Sequence, residues 1–277
     1  MGKVSLMAKD INRFSTAGGW LAVTLEVSRR NSLLTRLGSS TRPTKPNTSL
    51  VQITRDPLLP WKTSLDTFRK ARSLGMEVVV ALDRRSAAGS LSAIRPLVDR
   101  VIDFDNDTGW PEGAWNTVLD AATRDWAFLV SDDETPSEAL WEFATQVPTL
   151  TNGDEPYIWR PRMLAPLPDW SALYKPLDTY QPRYFPRQSL RHNGGFDELP
   201  TTRLKQQVNL DLPLWHFTLW SPRAYREQKV RDHEAAWQKF WHLHPWLPSS
   251  DRAYLWENYP DETEPIGKWE EHRPWKV

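Results

Sequence analysis

The chain has 277 residues, with 35 Lys and Arg balancing 35 Asp and Glu, and it contains no cysteine. Zero formal net charge argues against a broad, sequence-blind grip on nucleic acid, and the lack of thiols excludes disulfides, thiolate metal sites and a cysteine nucleophile. No apolar run approaches the roughly 18–20 residues that cross a bilayer, so the sequence predicts a cytoplasmic protein with no membrane span.

Residues 1–47 show weak periodicity and end in a loop-like run from Gly38 to Asn47. They carry eight Lys and Arg against Asp10 and Glu26, which reads as a solvated N-terminal extension or as an arm that steers an anionic partner. From Ser49 the pattern becomes regular. Ser49 to Thr54 is a predicted strand; Leu65, Phe68, Ala71 and Leu74 then fall at helical spacing, with Gly75 where a helix C-cap belongs. Glu77 to Leu82 is a second strand, apolar enough to be buried on both faces. A helix is expected from Ser90 to Val98 and a short strand from Arg100 to Phe104. Trp115, Val118, Leu119 and Ala122 mark one face of a further helix, and Asp125 to Val130 is a fourth strand.

This alternation is the signature of an α/β fold, a mainly parallel sheet flanked by helices. Beyond Gln146 the chain is richer in Pro and Trp. Its clearest later helix runs from about Arg223 to Phe240, and an extended, aromatic-rich tail is expected from Pro248. The expected division is an N-terminal extension over 1–47, a catalytic domain over 48–222, and a C-terminal helix and tail over 223–277 that packs on it. The 16 tryptophans suit sugar binding, because indole rings pack on sugar faces, and equally suit an aromatic core.

Open parallel sheets bind ligands outside the carboxyl ends of their strands. Asp83 follows the second strand there, and Ser131-Asp132-Asp133-Glu134 follows the fourth. Thr135-Pro136-Ser137-Glu138 reads as a helix start, with Thr135 as N-cap, Pro136 at the first helical position and Glu138 closing a capping box. Adjacent carboxylates repel unless cations intervene, and a hard divalent ion that bridges them to a diphosphate is one solution. Acids that merely favour a helix N-terminus are the other.

At these residues, from about Ser49 to Leu140, the chain resembles glycosyltransferase family 2. The stretch Ala114-Trp115-Asn116 through Asp125-Trp126 to Ser131-Asp132-Asp133-Glu134 is similar in register to the family phrase ARNxALxxAxxDWxLxLDADE. It departs at Trp115, where the family has Arg, and at Ser131, where the first acid of the Asp-x-Asp motif is expected. A looser second block places Pro182 to Arg187 before Gly194-Gly195-Phe196-Asp197-Glu198, and Leu214-Trp215-His216-Phe217 before Arg223, Arg226 and Lys229.

The resemblance implies a GT-A (Rossmann-like) fold and metal-assisted, inverting transfer of a sugar from a nucleotide sugar, with a UDP-sugar favoured. Arg55, Asp83 and Asn116 would contact the nucleotide, and Arg226 and Lys229 the diphosphate. Asp133, with Asp132 and His216, would hold Mn²⁺ or Mg²⁺. Asp197 or Glu198 would be the general base. The acceptor is left open among a glycan, a protein, a small molecule and a modified nucleic acid. A nucleotidyltransferase would need a Gly-rich loop after the first strand, where this chain has Thr54-Arg55-Asp56-Pro57. A non-catalytic sugar- or nucleotide-binding protein of the same fold is the alternative that Ser131 and Trp115 keep open.

Overall fold

The four apolar runs read from the sequence become the parallel part of one large sheet. The structure is a computed structural model that describes residues 46–105, 114–151, 158–175, 178–189, 191, 207–240 and 263–274. In chain order, β1 (Thr48–Thr54), α1 (Ser64–Ser73), β2 (Glu77–Asp83), α2 (Ser90–Ile94), β3 (Arg100–Phe104), α3 (Trp115–Ala121) and β4 (Trp126–Leu129) form the regular half. Then come β5 (Glu134–Pro136), α4 (Glu138–Thr151), β6 (Ile158–Leu164), β7 (Ala172–Tyr174), β8 (Thr179–Tyr180) and β9 (Tyr184–Pro186). The described elements end with β10 (Gln207–His216), α5 (Arg223–Phe240) and β11 (Thr263–Pro265).

The nine-stranded sheet has the order β3-β2-β1-β4-β9-β6-β10-β5, with β8 beside β6. Strands β3, β2, β1 and β4 are mutually parallel, β9 is antiparallel to β4, and β6 and β10 are parallel to each other. Every residue of β1 and β2 is buried, as expected of central strands covered on both faces. Alternation along the strands divides them between two cores. Leu50, Val78 and Val80 meet Phe68 of α1 and Leu140 of α4, while Val51, Ile53, Val79 and Ala81 meet Trp115, Val118 and Leu119 of α3. Each fully buried Leu or Phe contributes about 1.5–3 kcal/mol.

Gly75 closes α1 as its position predicts. With φ of +79°, it lets its own N–H reach Arg72 O at 2.9 Å and that of Met76 reach Ala71 O at 3.0 Å.

Two local expectations are corrected. The helix expected over 90–98 stops at Ile94 and continues as a 3-10 turn over Arg95–Leu97, because Pro96 has no N–H for the α-helical ladder. The helix expected to start at Thr135 does not start there. Glu134–Pro136 is a strand, paired antiparallel with β10 so that His216 faces Glu134, Trp215 faces Thr135 and Leu214 faces Pro136. Helix α4 begins at Glu138 instead, and the Ser137 hydroxyl accepts the Leu140 N–H at 3.3 Å. The backbone of a strand some 80 residues away outcompetes the local capping signal.

Many of the tryptophans serve the core: Trp126, Trp159 and Trp215 are fully buried. Trp215 gathers Trp170, Phe217 and Trp269 around it, and β11 pairs with β7, so the described residues 263–274 pack on this end of the sheet. Residues 1–45 lie outside the described residues. Among the described residues no helix is long and apolar enough to cross a membrane.

At the amino end of the sheet, Glu77 is buried and accepts from the Ser49 hydroxyl, from Thr123 N at 2.8 Å and from Thr123 Oγ1 at 2.9 Å. Burial, the largest influence, opposes its ionisation, but these hydrogen bonds and the Arg100 charge outweigh it and hold the carboxyl below its usual value. A lowered native value means that the stabilisation is complete above the unfolded value of about 4.3 and is lost as pH falls through the native one. Glu77→Gln is therefore expected to lower stability by about 1–3 kcal/mol at pH 7 and to flatten the acid limb below about pH 4. Urea midpoints measured from neutral to acid pH check this; an acid limb as steep as that of the wild type would refute it.

Candidate functional site

In the order β3-β2-β1-β4 the chain winds one way from β1 to β3 and returns to the other side of β1 for β4, so a crevice opens at the carboxyl ends of β1 and β4. Thr54 ends β1 at this point, and the turn Ser131 to Glu134 follows β4. Gln52 Nε2 donates to Val130 O at 3.0 Å and to Ser131 O at 3.1 Å, and Glu134 N closes the turn onto Ser131 O at 3.1 Å. The loop after β1 is fastened over it, because Thr63 N donates to Asp132 O at 2.8 Å and Thr63 Oγ1 to Glu134 O at 2.6 Å.

Each of the three consecutive acids has basic partners of its own. Asp132 Oδ1 accepts from Lys62 Nζ, and its Oδ2 from Thr54 Oγ1 at 3.0 Å. Asp133 lies with Oδ1 3.4 Å from His216 Nε2 and Oδ2 3.4 Å from Lys229 Nζ. Glu134, 1 % exposed, is gripped by Arg183 through Nε at 3.2 Å and Nη2 at 2.7 Å. The side chains opposite come from four places: the loop after β1, the approach to β9, the end of β10, and α5. The repulsion between neighbouring carboxylates is thus relieved by cations distant in sequence.

The electrostatics follow. Burial opposes ionisation of Asp133 and is the largest influence, but Lys229, His216 and Lys62 together overcome it and hold the carboxyl well below its usual value. Burial would likewise lower Lys62 and Lys229. The Asp132 and Asp133 charges raise Lys62, and Asp133 raises Lys229 against the opposing Lys62 charge, so both amines lie above the usual lysine range and stay protonated.

One strand over, Asp83 ends β2 and is 2 % exposed. It accepts from Arg85 N at 2.9 Å, Nε at 3.1 Å and Nη2 at 2.7 Å. Burial opposes its ionisation, while Arg85 and the charge of nearby Arg55 lower its titration below the usual value. Arg55 is half exposed and donates to Asp56 at 3.0 Å. Asn116 is half buried at the second position of α3, on the helix turn that follows the carboxyl end of β3. Trp115 beside it is a core residue, 8 % exposed.

The sequence-predicted residues therefore divide. Asp133, His216 and Lys229 meet; Asp83 at the end of β2 feels the charge of Arg55, which follows the end of neighbouring β1. Arg226, expected to face the diphosphate with Lys229, is buried and donates to Leu219 O at 3.0 Å and to Ser221 O, where it ties α5 to the preceding 3-10 turn. Asp132 and Glu134 meet basic side chains. Asp197 and Glu198 lie outside the described residues. Lys62, Arg183 and Thr54 carried no local signal, because a lone Lys, Arg or Thr in a loop or strand has no distinctive spacing, and their partners lie 70, 49 and 78 positions away.

Among the described residues no group of three or more His, Cys, Asp and Glu side chains forms a metal centre. Asp133 and His216 offer one carboxylate and one imidazole, which would fit a divalent ion if a diphosphate and water supplied its remaining ligands. Asp132 fits less well, since Lys62 and Thr54 hold its two oxygens in close hydrogen bonds whereas those of Asp133 face His216 and Lys229 at 3.4 Å, and Glu134 is closed off by Arg183.

Fold and site together define an α/β protein with a large, mixed sheet flanked by helices and a charged site at its carboxyl edge. No family profile matches the chain, and no curated protein does. Solved structures of S. aureus TarS are similar over part of the fold: one of TarS, one of TarS 1-349 in complex with UDP, and one of TarS 1-349 in complex with UDP-GlcNAc. Each is 16 % identical with a TM-score of 0.31 over 43 % of this chain, and the match covers 21 %, 35 % and 34 % of the respective TarS chains. The chain thus spans between about a fifth and a third of those structures. A likeness of this size carries no argument about function, which rests on the geometry of the site.

Proposed function

We propose that the chain is a glycosyltransferase that moves a sugar from a nucleoside-diphosphate sugar to an acceptor hydroxyl. One observation carries the reading: Asp133, His216 and Lys229, from three separate elements, converge within 3.4 Å contacts at the switch point of a parallel sheet. A buried carboxylate faced by an imidazole and an ammonium suits a leaving diphosphate better than it suits a neutral ligand. The nucleoside end would lie toward Asp83 and Arg55, on the neighbouring strand ends, and toward Asn116 in the first turn of α3.

Asp133 and His216 would hold Mn²⁺ or Mg²⁺, which when bound neutralises charge on the diphosphate. Lys229 would donate to a diphosphate oxygen. The acceptor oxygen forms its bond to the anomeric carbon as the bond to the diphosphate oxygen breaks; the nucleoside diphosphate leaves with that electron pair. The acceptor proton passes to a carboxylate, for which Asp197 and Glu198 are the proposed residues, and the anomeric centre is inverted. A UDP-sugar is the proposed donor.

The test is calorimetric titration of UDP, GDP, CDP, ADP and dTDP into the full chain, with Mn²⁺ and with EDTA. Tight binding of one nucleotide supports the donor site and narrows the sugar to that nucleotide's conjugates. Absence of binding by every nucleotide in both conditions overturns the reading and leaves the non-catalytic alternative.

A further inference from the structure

Lys62 is the most enclosed cation of the site: its side chain is 6 % exposed, against 37 % for Lys229. An ammonium in such a place needs a counter-charge held in register, and it has one. Asp132 is fixed from the other side by the Thr54 hydroxyl at 3.0 Å, and its own carbonyl is held by Thr63 N at 2.8 Å. The Lys62 ammonium lies 5.9 Å from the Tyr225 ring, which meets Trp61 edge to face at 5.1 Å, so the loop after β1 and α5 close on each other around this lysine. Lys62 and Lys229 flank the pair Asp132 and Asp133, one ammonium to each carboxylate.

The charge arithmetic is that of a metal site. Two carboxylates and a divalent ion sum to zero; here two carboxylates and two ammonium groups already do. An ammonium has three donors, and Asp132 takes one from Lys62. We infer that Lys62 is a further donor-site residue, a cation seated by Asp132 and Thr54 beside the diphosphate, so that part of the diphosphate binding is independent of metal. Asp132 is then the counter-ion that positions Lys62, and the metal is left to Asp133 and His216. The inference rests on the donor-site reading above and deepens it.

The experiment is calorimetric titration of UDP (or whichever nucleotide the panel selects) into full-length wild type, Lys62→Met, Lys62→Arg and Asp132→Asn, each with Mn²⁺ and with EDTA. Melting temperatures are recorded for each variant. The wild type is expected to keep measurable binding in EDTA. Lys62→Met is expected to lose at least about tenfold in affinity in EDTA, the range of a charge-assisted hydrogen bond, and Lys62→Arg to recover most of it. Asp132→Asn releases the ammonium from its counter-ion and is expected to bind UDP in EDTA at least as well as wild type. That readout does not depend on how well Lys62→Met folds.

Three results overturn the inference and leave the donor site standing: wild-type binding that vanishes in EDTA, a folded Lys62→Met that binds in EDTA within twofold of wild type, or Asp132→Asn that loses binding only where Mn²⁺ is present, as a metal ligand would. No nucleotide binding to wild type in any condition removes the donor site itself, and the inference with it.

Discussion

Asp133→Asn is expected to weaken Mn²⁺-dependent nucleoside-diphosphate binding by roughly 100-fold, about 2.8 kcal/mol. The amide keeps the shape of the side chain and removes the charge that faces both His216 Nε2 and Lys229 Nζ. It also takes the hard anionic ligand from the proposed ion, which neutral amide oxygens replace poorly. The backbone at position 133 stays anchored in the variant, because Phe217 N donates to its carbonyl at 2.7 Å. The measurement is calorimetry with and without Mn²⁺, alongside thermal melts. A folded Asp133→Asn protein that binds as the wild type does would remove Asp133 from the site. In EDTA the substitution should matter far less, since Lys229 then faces the diphosphate without its own carboxylate while Lys62 keeps Asp132.

The second large effect concerns stability. Arg183→Met is expected to destabilise the protein by about 3–5 kcal/mol, because Glu134 is left charged and without its partner in the interior. For a chain of this size that corresponds to a fall of roughly 6–20 °C in melting temperature. The bidentate grip of Arg183 on Glu134 joins the approach to β9 to the first residue of β5, and Glu134 Oε2 also accepts the Ser131 N–H at 2.8 Å. Loss of the arginine therefore loosens the turn that presents Asp132 and Asp133. Arg183→Met combined with Glu134→Leu removes both charges and should recover much of the lost stability. Thermal melts of the single and double variants decide it; a single-variant loss under about 1 kcal/mol would mean that water reaches Glu134 and screens it.

Local pattern was enough for much of this architecture. The apolar runs of β1 and β2, the helical spacing of Phe68 and Ala71, the C-cap at Gly75 and the long helix from Arg223 all depend on near neighbours, and all are found in place. The same succession of strands and helices located the carboxyl edge and therefore Asp83 and Asp133 on it, because the position of an acid just after a strand is itself a local fact. What failed locally did so for a non-local reason. Thr135 and Pro136 carry the chemistry of a helix start, but β10 offers their backbone a ladder, and pairing with it draws the segment into the sheet. The partners of the acids were only partly legible: the family resemblance named His216 and Lys229, and it did not name Lys62 or Arg183. Lys62 and Arg183 join them at one turn through a fold that closes over chain separations of 70 and 49 residues, and nothing in the local sequence of those two marks them. Sequence spacing placed the acids on the sheet edge; only the tertiary structure decided which cation neutralises each, because a charge pair depends on distance through space and not along the chain.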